Sequence, residues 1–109
     1  MSTLREIENY LRKITADDKN PAYATEICAC HLALDYWAVF DSLHHSDRNY
    51  LFRQLYMKKV HKNTSQVKLS IDLAISGSTL YRYRKLFVES FVFYCNQLNP
   101  APNGQAFKI

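Results

Sequence analysis

An all-α fold, a five-helix bundle with a C-terminal helix-turn-helix and a long last helix, is predicted by three features of this chain. Its 109 residues include only two glycines and three prolines. That is too few for the turns of a β-sandwich or the loops of a Gly-cradled nucleotide fold. Hydrophobic residues make up 48% and aromatics 14%, which excludes intrinsic disorder. Apolar residues recur at helical spacing, with no alternating strand pattern, internal repeat or low-complexity tract. The length permits one domain, residues 1–98, followed by a flexible tail over 99–109 after the Asn99-Pro100-Ala101-Pro102 stop.

The first helix starts at a capping signal, Thr3 with Glu6 three positions on. Leu4, Ile7, Leu11 and Ile14 then carry it to about Lys13. Asn20 before Pro21 opens a second helix, from about Pro21 to Leu43. Tyr23, Ile27, Leu34 and Trp37 fall on one side of it, and Cys28, Leu32, Val39 and Leu43 extend the apolar surface. A helix apolar on most faces is expected at the centre of a bundle, with Trp37 and tyrosines 23, 36, 50 and 56 in the core. Ser46 or Asp47 caps a third helix, in which Tyr50, Leu51, Leu55 and Val60 recur to about Lys62. A shorter helix follows from about Gln66 to Ala74, with Leu69, Leu73 and Ile71 inward. The last spans about Gly77 to Leu98.

Charge is distributed unevenly along the chain. The net charge is +4, yet residues 1–47 carry a balance of −4 and residues 48–92 a balance of +7. This polarity points to a basic face for a polyanion, or to chance clustering on solvated helices. Three cysteines cannot make a paired disulfide framework and fit reduced thiols in a cytoplasm. No apolar run is long enough for a membrane span or a signal segment.

The informative stretch runs from Val67 to Lys85. A short helix, a tight turn and a Ser76 cap before the next helix make helix-turn-helix geometry, locked by Leu69, Leu73, Ile75 and Leu80. Residues early in the second helix then project outward: Ser78, Tyr81, Arg82 and Lys85. Arg82 suits a guanine edge and Lys85 a phosphate. Arg84 points nearer the core side and snorkels to a phosphate at most.

The run from Ser76 to Lys85, SGSTLYRYRK, resembles the recognition helix of sigma-region-4-like helix-turn-helix domains. Among these it is most similar to small phage late-gene transcriptional regulators of the ArpU, RinA and LtrC type. The resemblance covers roughly residues 65 to 95. It implies sequence-specific promoter DNA binding by a phage or mobile-element regulator, with RNA polymerase or another transcription regulator as a protein partner. The DNA-binding set is then Lys68, Ser76, Ser78, Thr79, Tyr81, Arg82, Arg84 and Lys85. Two positions depart from the pattern: Ala74 stands where glycine is common, and Phe87 where a small residue is usual.

Other readings stay beside this one. The chain is alternatively a protein-interaction module that binds or inhibits a regulator or polymerase subunit without touching DNA. A DNA-packaging adaptor is a third. A basic exposed face across Lys68, Arg82 and Lys85 favours DNA; an acidic or apolar one favours a protein partner. Cys28, Cys30 and His31 look like a metal group, but Cys30 lies about 160° round a helix from Cys28, so no metal and no cofactor is expected. His44 and His45 near Asp41 and Asp47 lack a nucleophile or oxyanion donors, so no enzyme is expected. Finally, Leu86 and Phe93 align on the polar side of the last helix. They are either a seam for a second copy or partner helix, or lie beneath the N-terminal helices.

Overall fold

The computed structural model describes residues 3–57 and 74–98. Among them four α-helices form and no strand does: α1 (Leu4–Ala16), α2 (Ala24–His44), α3 (Arg48–Phe52) and α4 (Gly77–Leu98). The all-α expectation holds. The expected fourth helix, about Gln66 to Ala74, falls outside the described residues except for Ala74, which is a turn residue. The remainder of the third helix beyond Met57, the tail over 99–109 and Lys68 also lie outside them. No described helix is long and apolar enough to cross a membrane.

Local chemistry sets each boundary. Thr3 Oγ1 accepts from the Glu6 amide at 3.2 Å and donates to Glu6 Oε1 at 3.1 Å, closing a capping box that starts α1. This helix runs one turn past the predicted Lys13, to Ala16. Asn20 Oδ1 caps the Ala22 amide at 2.9 Å, and Pro21 begins a 3₁₀ turn, Pro21–Tyr23, leading into α2. At its far end α2 stops on His45, a left-handed residue with φ 53°. The cap of α3 comes from an unexpected residue. Asp41, in the last turn of α2, accepts from the Arg48 and Asn49 amides at 2.9 and 2.7 Å and from Ser46 Oγ at 2.5 Å. After Phe52 the chain widens into a π-helical turn, Arg53–Met57.

The helices form two layers. α2 and α4 lie antiparallel: Trp37 Nε1 donates to Ser90 Oγ at 3.1 Å, and the Arg48 guanidinium bridges Phe40 and Tyr83 beyond it. Against this pair pack α1 and α3, and the π-helical turn packs against α1. Leu34 of α2 faces α3, since its carbonyl accepts from Asn49 Nδ2 at 2.8 Å. Phe87 is wholly buried where the layers meet, with ring centroids of Phe52 at 5.2 Å and Trp37 at 5.5 Å. The bulky residue at this position is thus the hub of an edge-to-face aromatic cluster.

α2 departs from expectation. It touches every other described helix, as a central helix should, but only Ala29, Cys30, Ala33, Leu34 and Trp37 are buried. Cys28, Tyr36, Val39 and Leu43 are exposed. Tyr50 is exposed as well, and of the expected core aromatics Trp37 and Tyr56 are buried and Tyr23 partly so. The near-uniform apolarity of α2 concealed which side faces outward.

One buried polar cluster ties α1, the π-helical turn and α4 together. The Glu8 carboxylate, 1% exposed, accepts from Arg84 Nε at 2.8 Å, Arg84 Nη2 at 2.6 Å and Tyr56 Oη at 2.5 Å. Arg12 and Thr15 of α1 donate to the Leu55 and Tyr56 carbonyls at 3.2 and 2.7 Å. Burial pushes the Glu8 carboxyl upward, but the bonds from Arg84 and Tyr56 and the charges of Arg84 and Arg12 outweigh it and hold it below its ordinary 4.5.

Removing one partner of such a pair leaves a buried group uncompensated. Glu8→Gln should lower stability by about 3 kcal/mol, read as a shift in the urea midpoint. A Glu8→Gln/Arg84→Met double variant should lose less than the sum of its singles. The sign of the pH dependence follows from the depressed value. The contribution of Glu8 is complete above pH 4.5 and disappears as pH falls through its folded value, so acid unfolding of the wild type should steepen in that window. Glu8→Gln should flatten that limb, and an unchanged acid profile would contradict the assignment.

Candidate nucleic-acid interface

The entry to α4 is built by three residues. Ala74 takes φ 54°, a left-handed conformation that reverses the chain just before the helix. Ile75 then packs, half-buried, against the core beside buried Leu80. Ser76 caps: its Oγ accepts from the Thr79 amide at 3.1 Å and donates to Thr79 Oγ1 at 2.8 Å. Turn, small core and cap thus stand where the sequence places the second half of a helix-turn-helix. The first half is outside the described residues.

Beyond this entry the predicted site residues separate by role. Ser78, Tyr81, Arg82 and Lys85 are all exposed, and the 100° step per residue sets them along one edge of α4. They lie about 60–160° round the axis from Arg84, while Phe87 and Tyr83, which face α2, lie the other way. The ridge therefore points away from α2 into solvent. Ser76 and Thr79 serve the cap instead, and Thr79 Oγ1 also receives Arg82 Nη2 at 3.5 Å. That contact rests the Arg82 head over the first turn of the helix. Glu89, exposed one turn beyond Lys85, marks where the basic character of this edge ends.

Arg84 leaves the expected DNA-contact set. Both ends of its guanidinium fork are held by Glu8, and its guanidinium carbon lies 5.9 Å from the centroid of the Tyr81 ring. Its side chain is 18% exposed. A sequence pattern of Tyr-Arg-Tyr-Arg-Lys cannot tell which arginine turns inward; a carboxylate 76 positions earlier decides it.

A second arginine was missed altogether. Arg48 sits among three rings, its guanidinium carbon 4.4 Å from the Phe40 centroid, 4.7 Å from Tyr83 and 5.3 Å from Trp37. This cation–π cluster pins the start of α3 against the pair α2–α4. Beside it a shallow open notch is lined by Ser46, Asp47, Arg48, Leu51, Ile75 and Tyr83. The lead-in to α4 and the start of α3 are thus neighbours.

The remaining candidates are dispersed. Cys28 is exposed, whereas Cys30 and Cys95 are buried, their thiols pushed up to about 12 chiefly by burial. Among the described residues no three His, Cys, Asp or Glu side chains gather as a metal group. His44 stacks on Phe40 with centroids 4.2 Å apart, His45 is the left-handed cap, and Asp41 is occupied by the three donors of the α3 cap. Leu86 and Phe93 are 37% and 56% exposed, so the described N-terminal helices do not cover them.

Comparison with family models, with curated proteins and with solved structures found no match.

The left-handed alanine gives a direct test of the entry turn. An L side chain in that region costs about 1–2 kcal/mol, partly offset in glycine by the entropy of the unfolded chain. Ala74→Gly should therefore raise stability by about 0.5–1 kcal/mol in urea titrations, and Ala74→Val should lower it. A Gly variant no more stable than wild type would show that this turn is not left-handed in solution.

Proposed function

We propose that this protein binds double-stranded DNA as a transcription regulator, presenting the N-terminal turns of α4 to the major groove. The observation that carries the reading is the exposed ridge of Ser78, Tyr81, Arg82 and Lys85, set on a capped helix whose opposite face is fixed in the core. A helix anchored in this way can offer side chains to base edges without losing order of its own. Arg82 is the base reader, able to donate two bonds to guanine; Lys85 and the Ser78 hydroxyl take phosphates, and Tyr81 stacks on a sugar or meets a thymine methyl. Support also comes from the resemblance of SGSTLYRYRK to phage late-gene regulators and from the excess of positive charge after residue 47. A phage or mobile-element origin, work with RNA polymerase and a cytoplasmic location belong to the same reading.

The alternative, a module that binds a regulator or polymerase subunit without DNA, is favoured by one feature. Apolar side chains stand exposed along the outer side of α2. The two readings separate in a gel shift against DNA flanking the gene, with and without competitor.

Binding should be salt-dependent. With Arg84 withdrawn, Arg82, Lys85, Lys68 and the lysines after Met57 neutralise about four or five phosphates, for a log–log slope near −4. Arg82→Ala should cost about 1–3 kcal/mol and relax preference at one base pair. Lys85→Ala should weaken all sequences alike and reduce the slope by about 1. Wild-type affinity in both variants, or affinity indifferent to salt, would dismiss α4 as the reader.

A further inference from the structure

We infer that the outer side of the α2–α4 pair is a two-fold interface with a second copy of this chain. The inference stands on the apolar face itself and not on the DNA reading.

The face is made by both helices. On α2, Leu32, Tyr36, Val39 and Leu43 follow one another at steps of four, three and four residues, the spacing of a helix–helix seam. On α4, Leu86 and Phe93 are seven apart. Leu43 lies about 180° round α2 from Leu34, which faces α3. Phe93 lies about 180° round α4 from Arg84, which binds α1. Both strips therefore occupy the side of the pair turned away from the other described helices. They are also level with one another. The Trp37–Ser90 bond and the Trp37–Phe87 ring contact place Phe93 opposite Leu32 and Leu86 opposite Val39.

Exposure makes this a large face for so small a protein. Tyr36 is 48%, Val39 60%, Leu43 71%, Leu86 37% and Phe93 56% exposed. Together these side chains leave roughly 500 Å² of apolar surface bare, at the upper end for a monomer. A standard interface takes about 800 Å² from each partner, of which about two-thirds is apolar at its core. One such face against its own copy matches the apolar share of that area. Two strips separated by the Trp37–Ser90 floor also match themselves: turning one copy over lays α2 along α2 and α4 along α4, each antiparallel.

The position of the axis follows from the two strips. Leu32 to Leu43 on α2 and Leu86 to Phe93 on α4 meet their own copies when the axis crosses the pair midway along them, at the level of Trp37 and Ser90, and runs from α2 towards α4. Leu43 then lies over the second copy's Leu32, and Leu86 over its Phe93. The α4 ridges lie on the edge remote from α2, so this axis turns both to the same side of the dimer.

Sedimentation of the full chain at 10–50 μM without DNA tests the interface. Wild type should be a dimer, while Phe93→Glu and Val39→Glu should be monomers with wild-type helicity by circular dichroism. A folded wild-type monomer throughout that range overturns the inference, and so would a dimer untouched by either substitution. The axis is tested in a Cys28→Ser background. Tyr36→Cys, beside the axis, should form an interchain disulfide under mild oxidation, and Leu43→Cys, far from it, should not; the reverse pattern overturns the placement. Lys85→Ala should remain dimeric. A wild type that dimerises without binding DNA would reject the DNA reading and leave the interface intact.

Discussion

The ion pair of Glu8 with Arg84 is the constraint on which the arrangement of this protein depends. It joins the first turns of α1 to the first turns of α4 across 76 positions of sequence, and Tyr56 brings the π-helical turn to the same carboxylate. Apolar contacts alone would hold these elements together, but they tolerate sliding and rotation. A two-pronged guanidinium–carboxylate contact at low exposure does not, because a small rotation of α4 would strand a buried charge. Arg84 lies between Arg82 and Lys85 in sequence and on another side of the helix in space. The rotation that satisfies Glu8 is therefore the same rotation that turns Tyr81, Lys85 and Arg82 outward.

The aromatic layer works in the same direction by a different force. Phe87 contacts Trp37 and Phe52 edge-on, so α4 is gripped one turn after Arg84 by both layers at once. Arg48 extends this grip to Tyr83, a turn before Phe87. The first half of α4 is thus fixed at residues 80, 83, 84 and 87. What remains free there is the ridge on one edge and Leu86 on the outer side. Rigidity of this kind is consistent with the proposed reading role, since side-chain contacts to base edges tolerate little displacement.

Much of this was legible in the sequence because it is local. Thr3 with Glu6, Asn20 with Pro21 and Ser76 with Thr79 are capping signals whose partners lie within three residues, and each forms as the spacing indicates. The bounds of the last helix and its buried arc from Leu80 to Cys95 follow from its 3.6-residue period. The failures are all non-local. Asp41 rather than Ser46 or Asp47 caps α3, because a helix end is capped by whatever acceptor the previous helix brings near. Arg84 is inward because Glu8 is there. Leu34 and Leu43 are chemically alike, and only the docking of α3 on one side of α2 distinguishes the buried one from the exposed one. Where a helix is apolar all round, periodicity carries no information about direction.

α4 consequently does three things at three angles. Its arc from Leu80 through Phe87, Phe91 and Cys95 belongs to the core, its edge at Tyr81 and Lys85 is open, its outer side at Leu86 and Phe93 is open and apolar, and exposed Arg82 stands where the edge and the outer side meet. A helix of 22 residues has room for this because each set needs only about a third of its circumference. The sets share one frame. Leu86 is flanked by Lys85 and Phe87, and the grip of Glu8 on Arg84 fixes at once the direction in which the basic edge, the apolar side and the aromatic hub face.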